Sequence, residues 1–120
     1  MSIEIKEICE LKAVLSQVSR LEDRIMEETS LTLNEALALC TLSKLCLGPG
    51  DLAPELRVSP SRATRISQNL MKKGFVLSRE GVNADGRRKT LGLSPAGEAL
   101  AQRLHRLQEE LFPFALTKEV

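Results

Sequence analysis

Between residues 3 and 28 apolar side chains recur every three or four positions: Ile8, Leu11, Leu15, Val18 and Ile25, with Val14, Leu21 and Met26 widening the stripe. That spacing predicts one long amphipathic helix. Its polar side carries Glu4, Glu7, Glu10, Asp23, Glu27 and Glu28 and is expected to face away from any polyanion. The stripe is more apolar surface than one small domain readily covers. A partner subunit and packing within the chain's own domain account for it nearly equally well.

Thr32 and Glu35 have the spacing of a capping box, in which hydroxyl and carboxylate satisfy each other's backbone N–H groups at the start of a second helix. Leu37, Leu39, Leu42, Leu45 and Cys46 make that helix mostly apolar, a central core helix expected to end before Gly48. Gly48-Pro49-Gly50 reads as a turn, and residues 51 to 56 as a short third helix with Asp51 as N-cap and Pro54 at the third helical position, where its missing N–H costs nothing. Arg57-Val58 then turns the chain into a fourth helix. Ser59 caps it, Pro60 occupies its first position and Gly74 stops it, so residues 51 to 73 form a helix-turn-helix.

Beyond Gly74, residues 75 to 80 are β-prone, residues 81 to 86 supply turn formers, and residues 89 to 93 alternate with Leu91 and Leu93 inward, which predicts a two-stranded hairpin. Ser94-Pro95 restarts a helix by the same cap-and-proline device. Leu100, Leu104, Leu107 and Leu111 continue at helical spacing to Phe112-Pro113, where the proline ends or bends it. We read this last stripe and the first as dimer-forming, with burial in the chain's own core as the alternative.

Charge changes the picture at one place. The chain has 120 residues and a net charge of +1, but residues 1 to 56 carry five bases against ten acids, and residues 57 to 89 carry nine against two. A basic segment in an otherwise acidic chain points to a local polyanion-binding surface. Its centre is the fourth helix. At 100° per residue, Ala63, Ile66, Ser67 and Leu70 share one face, while Ser61, Arg65, Gln68 and Lys72 lie opposite, flanked by Arg62, Thr64 and Asn69. That outer face contains no acid and offers guanidinium, amide and hydroxyl groups suited to base edges and phosphates. On this helix alone a DNA-reading face and an ordinary polar face fit equally well. The hairpin tip, with Asn83, Asp85, Arg87, Arg88 and Lys89, shifts the balance towards DNA, because arginines beside such a helix are placed to enter a minor groove.

The remaining chemistry is sparse. The size, with 42% hydrophobic and 28% charged residues, suits one globular domain over residues 1 to 120. No apolar run is long enough to cross a membrane and the acidic N-terminus lacks a signal core, so a cytoplasmic protein without membrane contact is expected. Cys9, Cys40 and Cys46 have no metal-ligand spacing and read as buried thiols, with Cys9 as the candidate for a redox-sensing role. His105 is expected at the surface. There is no metal cluster, nucleophile–base pair or phosphate loop, so neither an enzyme nor a cofactor or metal site is expected.

Two stretches, LAPELRVSPSRATRISQNLMKKGFV at residues 52 to 76 and DGRRKTLGLSPAG at residues 85 to 97, resemble the MarR family of transcriptional regulators. The resemblance rests on the Thr64-Arg65 step, the Lys-Lys-Gly helix end, Asp85 and Arg87 in the hairpin tip, and Leu93, Ser94 and Gly97 at the next helix start. It implies a mainly α fold with a small β-hairpin: a winged helix-turn-helix domain whose N- and C-terminal helices form a dimerisation region. In that plan residues 31 to 94 bind DNA, and residues 3 to 28 and 95 to 114 dimerise. The implied function is a homodimeric regulator of double-stranded DNA, usually a repressor released by a small-molecule effector or an oxidant. Ser59, Ser61, Arg62, Thr64, Arg65, Gln68, Asn69 and Lys72 are the recognition-helix candidates, with Ser61, Arg62 and Arg65 matching groove contacts. Arg87 matches the wing's minor-groove arginine and Asp85 the residue that braces it. The chain departs from the family in its short C-terminal region and in having no Trp or Tyr to line a ligand pocket. A rival reading keeps the winged helix as a protein-interaction module, an adaptor or antirepressor, without specific DNA binding.

Overall fold

The computed structural model describes residues 6–80 and 89–111. A single 3-10 turn at Ile8–Glu10 leads into α1 (Leu11–Thr29), followed by α2 (Leu33–Leu42), α3 (Pro49–Leu56), α4 (Pro60–Lys72), β1 (Val76–Glu80), β2 (Lys89–Leu93) and α5 (Pro95–Leu111). The architecture is mainly helical with a two-stranded antiparallel hairpin.

The capping box forms as its spacing predicts: the Glu35 N–H donates to Thr32 Oγ1 at 3.2 Å and the Thr32 N–H donates to Glu35 Oε1 at 2.9 Å. The helix it opens, α2, buries Ala36, Ala38, Leu39 and Leu42 and is the centre of the core. It stops at Leu42, short of the expected end before Gly48. Leu45 and Cys46 are exposed, and Leu47 instead joins the sheet, accepting a hydrogen bond from the Leu91 N–H at 2.8 Å. Pairing with a residue far along the chain overrides local helical preference there.

The third helix also starts earlier than expected. Gly48, rather than Asp51, is the N-cap; Pro49 sits at the first position, and the Asp51 carboxylate accepts the Gly48 N–H at 3.3 Å. Pro54 is therefore the sixth helical residue and removes a bond to the Gly50 carbonyl. Both residues are exposed, so water takes that carbonyl at little cost. The helix closes on Arg57 at φ +57°, with the Arg57 N–H donating to Pro54 O at 3.2 Å and the Val58 N–H to Ala53 O at 3.1 Å. This is a left-handed stop usually given to glycine, and an arginine there stores roughly 1 kcal/mol.

The fourth helix begins and ends where expected. The Arg62 N–H donates to Ser59 Oγ at 3.2 Å, and Gly74 takes φ +84° while the Gly74 and Phe75 N–H groups each reach back 3.0 Å to the Met71 and Leu70 carbonyls. In the hairpin, Val76 pairs with Leu93 and Ser78 with Leu91, so Val76, Leu91 and Leu93 face the core while Leu77 is turned outwards. The hairpin root is fixed to α5. Ser94 Oγ donates to Gly74 O at 2.6 Å and accepts the Gly97 N–H at 3.0 Å, and a Cβ on Gly97 would lie only 2.1 Å from Phe75 O. Only glycine permits that approach.

The two long end helices differ from the common role assigned to them. Leu100, Ala101, Leu104 and Leu107 of α5 are buried within this chain's own core, alongside Ile25 of α1 and the apolar faces of α2 to α4. Burial at home, rather than in a partner, accounts for the α5 stripe through Leu107. The two helices run antiparallel, since Arg24 lies 3.7 Å from Glu110 and Arg103 lies 3.8 Å from Glu28. These pairs are partly exposed and contribute orientation more than stability. At the other end of α1, Ile8 and Leu15 are 81% and 63% exposed, with Leu11 beside them.

Candidate nucleic-acid interface

The amphipathic division of α4 is complete. Ala63, Ile66, Ser67 and Leu70 are buried, while Ser59, Ser61, Arg62, Thr64, Arg65, Gln68 and Lys72 are exposed and Asn69 is half-buried. Burial of Ser67 costs little because its hydroxyl donates to the Ala63 carbonyl at 3.0 Å. The helix is thus held by four side chains on one side and presents the other to solvent.

The exposed groups are not all equally free. Ser59 Oγ accepts the Arg62 N–H and lies 3.3 Å from Ser61 Oγ, so it serves as a cap as well as a surface hydroxyl. Thr64 Oγ1 donates to Pro60 O at 3.0 Å, which commits its proton to the helix. Among the described residues no hydrogen bond or ion pair holds the Arg62, Arg65, Gln68 or Lys72 side chains, and three of those four are cationic groups available to an incoming ligand. The wing candidates Asn83, Asp85, Arg87 and Arg88 lie outside the described residues; Lys89 opens β2.

An open cleft of about 660 Å³ runs between α4 and the start of α2. Arg62, Arg65 and Asn69 form one wall, Thr32, Asn34 and Glu35 the other, and Glu22 of α1 reaches its rim. Neither Asn34 nor Glu22 stood out in the sequence. Glu22 and Glu35 are the acids among the described residues that line the cleft with the basic face, an approach between elements that helical periodicity does not disclose.

Two further residues near the site were not among its candidates. Arg57 is exposed at the helix-turn-helix corner, at the strained position described above. Lys73 reaches across to the start of α2: its Nζ lies 3.1 Å from Glu35 Oε1 and 3.2 Å from the Ser30 carbonyl, whereas Lys72, exposed like it, makes no such contact among the described residues. Nothing in the Lys72-Lys73 repeat distinguishes them.

The cysteines depart from expectation. Cys9 and Cys46 are exposed, and Cys40 is half-buried in a groove of about 610 Å³ between α2 and α5, where burial pushes its thiol pKa up and Lys44 acts weakly against it. His105 is exposed, as expected, 3.7 Å from Glu109. Among the described residues no cluster of three or more potential ligands is placed to hold a metal ion, and no helix is long and apolar enough to cross a membrane.

Comparison with solved structures finds close likeness over most of the chain. The apo form of MarR from E. coli is 26% identical with a TM-score of 0.71, covering 92% of this chain and 86% of its own. The chain has the MarR-family winged-helix fold. MepR, a transcription regulator of the Staphylococcus aureus multidrug efflux pump MepA, superposes at a TM-score of 0.73 and 19% identity, with 89% of this chain and 80% of MepR covered. A MepR–DNA complex from S. aureus gives 0.69 and 19% over 84% and 83% of the two chains. No protein-family model and no curated sequence matches. Within the MarR-like fold, α3 and α4 are the helix-turn-helix, β1 and β2 the wing, and α1 and α5 the flanking helices.

Proposed function

We propose that the protein is a transcriptional regulator that binds double-stranded DNA as a homodimer, with α4 in the major groove and the β1–β2 wing at the adjacent minor groove. One observation carries the reading: the exposed face of α4 presents Ser61, Arg62, Arg65, Gln68 and Lys72 without an acid, directly opposite the face that fastens the helix to the core. Guanidinium and amide groups on a rigid helix read base edges, and lysine neutralises phosphate. The likeness to MarR, and to a MepR structure that contains DNA, supports the same assignment.

Dimerisation draws on α1. Ile8, Leu11 and Leu15 stand exposed at 3-4 spacing, the pattern of a helix seam awaiting a second helix. Repression relieved by a small molecule belongs to the same reading, because a ligand in the α2–α4 cleft would occupy the guanidinium groups that DNA needs. Oxidation at the exposed Cys9 would place a polar group next to Ile8, at the start of the apolar stripe. Replacing Cys9 with Ser tests that branch: unchanged peroxide sensitivity of DNA binding removes it.

The decisive experiment is selection of bound duplexes from a random pool. A twofold-symmetric motif with half-sites about one helical turn apart is the expected result. A flat pool, with affinity indifferent to salt, would favour a protein-binding winged helix instead.

A further inference from the structure

The three elements that meet beside the α2–α4 cleft are tied together by one ammonium group. Lys73, the residue just past the last turn of α4, sends Nζ to the Ser30 carbonyl at 3.2 Å and to Glu35 Oε1 at 3.1 Å. Ser30 is the left-handed residue, φ +60°, that ends α1, and Glu35 opens α2. Glu35 is only 4% exposed, and the same oxygen that meets Lys73 also accepts the Thr32 N–H. A buried carboxylate is costly without hydrogen-bond donors and a counter-charge. Lys73 supplies the charge, and in doing so fastens the end of α4 to the α1–α2 corner.

From this geometry we infer that Lys73 is a positioning residue for the DNA-reading helix, which makes the α1–α2 corner the route by which α1 sets the angle of α4. The inference rests on the DNA-binding reading and adds a regulatory path to it. Besides the buried face of α4, two polar contacts act at its ends: the Ser59 cap at its start is internal to the helix, whereas the Lys73 contact at its finish reaches α1 and α2. Any displacement of α1, by subunit rearrangement or by a ligand in the cleft that Glu35 also lines, moves Ser30 and Glu35 and so shifts the anchor of α4. Lys73 does this without touching DNA.

The test uses Lys73→Met, which keeps the aliphatic stem, and Glu35→Gln, which keeps the capping-box acceptor but removes the negative charge. Binding is measured on the duplex enriched by selection and on random DNA, and amide hydrogen exchange is followed in the free protein. Lys73→Met is expected to lower affinity for the selected duplex ~5- to 10-fold, with little change on random DNA. Glu35→Gln should lose part of the same discrimination, and the double variant no more than Lys73→Met alone. Exchange should rise together at residues 30–35 and 70–75. Equal losses on selected and random DNA, with a smaller salt dependence, would make Lys73 a phosphate contact and overturn the inference, as would a lowered melting temperature with discrimination intact. Should the wild type prefer no duplex, the DNA reading falls while the exchange arm still decides the anchor: separate responses at the two segments overturn it.

Discussion

The exposed faces of α4 and α1 are built from opposite materials. In α4 the outward residues are arginine, lysine, glutamine and serine, well solvated until a polyanion arrives. At the start of α1 and in the turn before it they include Ile8, Leu11 and Leu15, unfavourable in water and costly to leave uncovered. Both helices are fastened on their other side, yet only α4 is polar enough to stand free without a partner. In the proposed regulator the two contacts are kept separate: the charged face meets nucleic acid, and the apolar one a second subunit. Each can then be altered without destroying the other.

That separation is open to direct attack. The largest effect is expected from Leu11→Glu combined with Leu15→Glu. Covering a leucine side chain is worth ~1.5 to 3 kcal/mol, and a symmetric interface contains each residue twice. Light scattering should report dimers for the wild type and monomers for the double variant, with the melting temperature of the monomer fold little changed. Retention of the dimer would show that its seam lies elsewhere. Next comes Arg65→Ala, which should remove ~1 to 3 kcal/mol of preference for the selected duplex over random DNA while leaving the mass in solution untouched. Parallel losses on both DNAs would reduce Arg65 to a phosphate contact.

Smaller changes sharpen the account of how α4 is presented. Ser59→Ala removes the cap and should cost ~1 kcal/mol in thermal unfolding. Arg57→Gly should act in the opposite sense, adding up to about 1 kcal/mol by relieving the left-handed corner. The least dramatic test concerns the thiols. Cys40, with its pKa raised by burial, holds less thiolate at mildly alkaline pH than an exposed cysteine. Iodoacetamide should therefore modify Cys9 and Cys46 first, as mass spectrometry of the peptides would show.

Much of this architecture was legible in the sequence because its signals are local. The Thr32–Glu35 box, the Ser59-Pro60 start, the Gly74 stop and the inward Leu91 and Leu93 depend on residues a few positions apart, and all are present. What escaped was decided across distance. Leu47 leaves the helical pattern because Leu91 receives it, and Glu35 and Lys73 meet 38 positions apart. The stripe on α5 showed correctly that the helix has an apolar neighbour, but periodicity does not name the neighbour, and through Leu107 it proved to be this chain's own core. The polar face of α4 was legible in full because exposure there follows directly from its buried opposite. Which of the two lysines at its end reaches back to Glu35 was not.

The contact between Gly97 and Phe75 has a mechanical corollary. With no side chain between them, the base of the hairpin is seated against the backbone of α5, and Ser94 clamps the joint through Gly74. Hairpin root and final helix therefore travel as a single lever. In the proposed DNA complex, torque applied to α5 should shift the groove met by the hairpin relative to the one met by α4 before it changes which bases are preferred within either.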